Sequence, residues 1–166
     1  MRTVSYRELQ AVGMDALDLQ FYVRTVGALR DAPLQPDTEV PVSEWAEVVH
    51  DVHDLLRVAA ACEDGLALLQ RIVTRVGWDL GASRGGALAQ WCHENAVRRA
   101  ECMPADMNRL DMLEHARELA GWVGMGKYFS RARSQLAREH AYAHIRRTVV
   151  AALLDSAGDV SRILTS

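Results

Sequence analysis

Several residue types are scarce in this chain. Of 19 basic residues only Lys127 is a lysine, and 166 residues include just two Phe, two Asn, three Ile, four Pro and three Cys. Cys62, Cys92 and Cys102 cannot all pair and show no Cys-x-x-Cys spacing. That excludes a disulfide scaffold and fits reduced thiols packed as small hydrophobes. No stretch is long and uncharged enough to span a bilayer, and the opening Met1-Arg-Thr-Val-Ser-Tyr-Arg-Glu8 lacks the apolar core of a signal peptide. A cytoplasmic location with no membrane partner is therefore expected. With 49% apolar and 25% charged residues, and no glycine or proline periodicity, the chain is neither disordered nor collagen-like. Little Lys, Asn, Ile and Phe beside abundant Ala, Arg, Val, Leu and Gly is what a GC-rich genome encodes, and an actinobacterium or one of its phages is the expected source.

What is present is helical periodicity. Ser5-Tyr-Arg-Glu8 forms a capping box at the start of a long first helix, with Leu9, Val12, Ala16, Leu19, Val23 and Val26 on one seam and Tyr22 and Leu29 widening it. Asp31-Ala-Pro33 ends that helix. Residues 33–42 hold three of the four prolines and read as an extended connection. Ser43 is placed to cap a second helix that buries Trp45, Val48, Val49, Val52, Leu55, Leu56 and Ala59, and the pattern breaks at Glu63-Asp-Gly65. A third segment runs from Leu66 to Gly77, and the glycine-rich stretch 77–86 is the clearest loop. A fourth helix spans 87–101. After Pro104, a fifth buries Met112, Leu113, Ala116, Leu119, Ala120 and Val123. A long last helix is expected over about 127–156, apolar nearly all round at its end through Tyr142, Ile145, Val149, Val150, Leu153 and Leu154. Such a helix is either a central element or the contact to a second chain. The expectation is an all-α, single-domain bundle of five to six helices over residues 1–166, with long N-terminal and C-terminal helices.

The net charge of −3 conceals an asymmetry. Residues 1–70 carry five Arg against twelve carboxylates, and residues 71–166 carry fourteen cations against ten carboxylates. The basic excess peaks between Lys127 and Arg147, where Arg131, Arg133, Arg138, Arg146 and Arg147 accompany Lys127 and Glu139 is the one carboxylate. Arg84, Arg98, Arg99, Arg131, Arg138, Arg146 and Arg147 are the candidate contacts for an acidic protein or a nucleic acid. Attraction between the acidic and basic halves, within a bundle or a dimer, is the plainer account of the asymmetry.

Motifs that carry chemistry are sparse. Glu47-Val-Val-His50 has the spacing that grips one metal in di-iron bundles, but both residues fall opposite the Trp45, Val52, Leu56 face and no second copy completes it. His140-Ala-Tyr-Ala-His144 is an i, i+4 pair able to hold a transition metal if a third ligand comes from elsewhere, and a hydrogen-bonded boundary histidine is the plainer reading. His53-Asp54 is an isolated doublet. No cysteine or serine carries a local nucleophile signature. Gly81, Gly85 and Gly86 beside Arg84 suggest an anion-binding nest, without the spacing of a phosphate-binding loop. Leu80-Gly-Ala-Ser-Arg-Gly-Gly-Ala-Leu-Ala-Gln-Trp91 resembles the turn and recognition-helix start of repressor-type helix-turn-helix domains, within segment 66–99. That resemblance implies DNA binding through residues 80–99.

The function expected is a non-enzymatic, cofactor-free binding or regulatory module that contacts another protein or a second copy of itself. A DNA-binding regulator that uses segment 66–99 or the basic last helix, and a metal-binding bundle built on His140 and His144, are the alternatives.

Overall fold

A computed structural model describes residues 1–78, 87–102, 106–130 and 135–155 of the chain. Among these, eight helices accompany a two-stranded ribbon: β1 (Thr3–Val4), α1 (Tyr6–Ala11), α2 (Ala16–Leu29), β2 (Val40–Pro41), α3 (Val42–Val48), α4 (Val52–Ala61), α5 (Gly65–Trp78), α6 (Ala87–Glu101), α7 (Arg109–Ser130) and α8 (Gln135–Leu154). The all-α architecture expected from periodicity is observed. None of the described helices is long and apolar enough to cross a membrane.

The expected long first helix is two helices. The Ser5–Glu8 capping box forms as predicted, with the Glu8 amide donating to Ser5 Oγ (3.3 Å) and the Ser5 amide to Glu8 Oε2 (2.8 Å). Six residues later the chain leaves the helix through a Schellman motif: the Gly13 amide bonds the Gln10 carbonyl, and the Met14 amide bonds that of Leu9. Gly13 stands at φ 81°, where a side chain would be strained. Asp15 then caps α2, accepting from the Leu17 and Asp18 amides at 3.0 and 3.2 Å. Ala16 and Leu29, at the first and last positions of α2, lie exposed and not on a buried seam.

The second helix is also divided, into α3 and α4, with Asp51 capping α4 through the Asp54 amide (3.0 Å). Ser43 does not cap α3; Pro41 precedes it, and the Val42 amide bonds the Arg2 carbonyl. The segment read as an extended connection supplies β2, which pairs antiparallel with β1. Trp45, fully buried, donates its indole N–H to the Val4 carbonyl at 2.9 Å and locks the ribbon onto α3. Between α4 and α5 only glycine fits at position 65, since a Cβ there would stand 2.5 Å from the Ala60 carbonyl oxygen.

In the second half, α6 has the predicted limits. Asn108 caps α7, and this helix continues through Gly121, Gly124 and Gly126 to Ser130, taking in Lys127 to Ser130 from the expected last helix. An isolated glycine costs about 1 kcal/mol relative to alanine, too little to break a well-packed helix. α8 begins at Gln135 and packs against α3, α4, α5 and α7, and Ile145, Val149 and Leu153 are buried. That face makes α8 a central element, while Tyr142 and Val150 are half-buried and Leu154 is exposed. Buried side chains from both halves join in one core cluster.

Arg2 ties the two halves together. Its Nε and Nη2 hold the Asp64 carboxylate at 3.1 and 2.9 Å, while Nη1 donates to the carbonyls of Ala152 (3.2 Å), Leu153 (3.0 Å) and Asp155 (2.5 Å) at the end of α8. Hydrogen bonds to charged groups contribute about 1.5–3 kcal/mol. Arg2→Ala is therefore expected to lower the unfolding free energy by about 2–3 kcal/mol in urea titrations, and Arg2→Lys to recover only a minor part, because an ammonium cannot span both sets of acceptors. An unchanged urea midpoint would remove this role.

Candidate functional site

Three regions carry the groups from which a function would be built. The first is a cleft of about 400 Å³ between the α3–α4 joint and α8, lined by His50, Asp51, Val52 and His53 on one side and Glu139, Tyr142, Ala143 and Arg146 on the other. His53 packs edge-on to the Tyr142 ring, with centroids 6.2 Å apart. Burial pushes the His53 pKa below the usual 6.5; Arg117 and Arg57 add to this, and Asp51 and Asp54 oppose it. Arg146 turns inward, and its Nη2 donates to the carbonyls of Ala46 (2.7 Å) and Val49 (3.4 Å) at the end of α3. A cation at a helix C-terminus offsets the negative end of the helix dipole, so Arg146 serves the fold.

The doublet His53-Asp54 is split between two environments. Asp54, buried, faces α2 and accepts from the Tyr22 hydroxyl (2.7 Å) and Arg57 Nη1 (2.8 Å). Burial and the Asp54 contact raise the Tyr22 pKa, which keeps the phenol protonated as a donor. Glu47 and His50 are both exposed, as their spacing implies. Among the described residues no three His, Cys, Asp or Glu side chains gather where a metal would be held. The His140 side chain lies outside the described residues, and His144 is exposed. Cys62 is buried, its thiol donates to the Val58 carbonyl at 3.4 Å, and burial pushes its pKa to about 12, far from a reactive thiolate.

A larger cleft of about 760 Å³ lies beside Arg2, between Met1–Thr3, Val42–Ser43, Glu63–Asp64 and Leu153–Asp155. Its Asp64 and Asp155 carboxylates are matched internally, by Arg2 and by Arg71 at 3.4 Å. These contacts hold the molecule together.

The third region is the outer face of α2. Tyr22, Val26 and Leu19 point inward, whereas Leu17 (77% exposed), Phe21 (63%) and Leu29 (67%) face solvent. Sequence periodicity missed this face. The i, i+4 pair Leu17 and Phe21, off the main seam, was the available signal.

No protein-family model, curated protein or solved structure matches the chain.

Four of the seven candidate arginines have described side chains. Arg98 on α6 and Arg147 on α8 are exposed, Arg99 is half-buried and paired with Glu118, and Arg146 is engaged as described. Arg84 and Arg131, and the side chain of Arg138, lie outside the described residues, as does the stretch 79–86 that holds most of the helix-turn-helix resemblance. Beside Arg98, Trp91 is half-exposed on α6 and meets Trp122 of α7 edge-on at 5.0 Å.

His115, 3% exposed on α7, has its pKa lowered by burial and by Arg99, with a backbone hydrogen bond at Arg99 opposing. His53 and His115 both bind a proton less readily in the folded chain than in the unfolded one. Stability is accordingly complete well above pH 6.5 and falls as pH drops below it. The urea midpoint is expected to be lower at pH 5.5 than at pH 7.5, with a smaller drop in His115→Gln; an equal drop in that variant would exclude His115 as a source.

Proposed function

We propose that the chain is a non-enzymatic binding module that acts by contact with another protein through the outer face of α2. The observation that carries this reading is the exposed pair Leu17 and Phe21, one turn apart on a helix whose opposite face is held by Tyr22. Tyr22 is hydrogen-bonded to buried Asp54, and Arg30 pairs with Glu44 of α3 at 3.3 Å. Grouped apolar side chains left in water on a rigid support are the usual mark of a contact surface. The apolar end of α8, the other candidate for such a role, is largely occupied within the chain. Among the described candidate arginines, Arg98 and Arg147 are the exposed ones, whereas Arg99 pairs with Glu118 and Arg146 bonds the end of α3.

The test uses the full chain as bait in a lysate of its source organism, beside Phe21→Glu and Leu17→Glu. Both positions are well exposed, so the variants are expected to match the parent in circular dichroism and in urea midpoint to within about 0.5 kcal/mol. Partners held by the parent are expected to be lost from both. Identical captures by all three baits would sink the reading.

A further inference from the structure

We infer that the partner of the α2 face is a second copy of this chain, joined through an antiparallel pairing of the two α2 helices; this rests on the reading of α2 as a contact surface and gives it a specific occupant. At 100° per residue, positions 17, 21, 24 and 28 fall within about 60° of one another. Leu17, Phe21, Arg24 and Ala28, all exposed, therefore form one straight stripe along α2 with spacings of four, three and four. Those spacings are the seam of a two-helix coiled coil.

The stripe is self-complementary only when the helices run antiparallel about a two-fold axis between positions 22 and 23. Leu17 then meets the partner's Ala28, large against small, twice across the axis. Arg24 meets the partner's Phe21, placing a guanidinium over an aromatic face, with the partner's Asp18 one turn further on as its counter-charge. In the parallel arrangement Arg24 would face its own copy, like charge on like charge. A two-fold contact requires that residue i meets j whenever j meets i, and this order of residues satisfies it. The seam from Leu17 to Ala28 spans about 17 Å, so the pairing belongs with small, weak interfaces and is to be read at tens to hundreds of micromolar chain.

Sedimentation equilibrium of the full chain, with Phe21→Glu alongside, tests the pairing. The parent is expected to dimerise, and Phe21→Glu to weaken dimerisation at least tenfold. The register is read separately by disulfide trapping in a chain with Cys92 and Cys102 replaced by serine. A mixture of Leu17→Cys and Ala28→Cys chains is expected to cross-link, whereas either alone is not, because like positions would lie about 17 Å apart along the axis. A parent that stays monomeric, a dimer indifferent to Phe21→Glu, or cross-linking of Leu17→Cys with itself would each overturn the inference. If the chain is monomeric while its captured partners still depend on Phe21, the binding reading survives and only the second copy is lost.

Discussion

Arg2 uses the planar fork of its guanidinium to satisfy two kinds of acceptor at once: the Asp64 carboxylate before α5 and the carbonyl oxygens that α8 leaves unpaired at its end. Both sets would otherwise be costly. A helix terminus enclosed by protein needs donors, and a carboxylate there would repel the negative end of the dipole unless a cation stood between them. One side chain, 17% exposed, therefore lets the start of the chain, the α4–α5 link and the end of the central helix meet in one place. The ribbon that carries Arg2 is fixed in turn by Trp45 on the Val4 carbonyl, so the core of α3 and the charge cluster are mechanically linked.

Arg146 repeats the same solution at the end of α3. The basic excess of the second half thus has two components. Part of it, Arg2's counterpart on α8 included, neutralises helix ends and carboxylates within the bundle, and part, such as Arg98 and Arg147, faces solvent. The charge asymmetry that suggested an external acidic partner is in this measure an internal matter. The apolar surplus follows the reverse course: the last helix, which looked over-supplied, is central, and α2, which looked like an ordinary amphipathic helix, keeps Leu17, Phe21 and Leu29 outside.

How much was legible depended on the range of the signal. Local features survived intact: the Ser5–Glu8 capping box, the break at Glu63-Asp-Gly65, the end of α6 at Glu101, and the burial of Met112, Leu113, Ala116 and Leu119 on one side of α7. The division of the first helix was written in Gly13 and Asp15, yet the apolar spacing ran on in phase across the break and concealed it. A Schellman link followed by a new cap can preserve periodicity in sequence while turning the chain in space.

The amino-acid sequence by itself determined that this chain is helical and where most of the helices lie, because capping, periodicity and turn residues act over a few positions; of the thiols expected to pack, Cys62 is buried but Cys102 is exposed. Only the tertiary structure decided which apolar faces are covered and which cations are spent internally. The contacts responsible join residues as far apart as Arg2 and Leu153 or Ala46 and Arg146, and their acceptors are backbone carbonyls, which look the same whatever residue bears them. For the same reason the α2 stripe gains meaning only once Tyr22 and Asp54 have fixed which side of that helix faces the core and which is left to water.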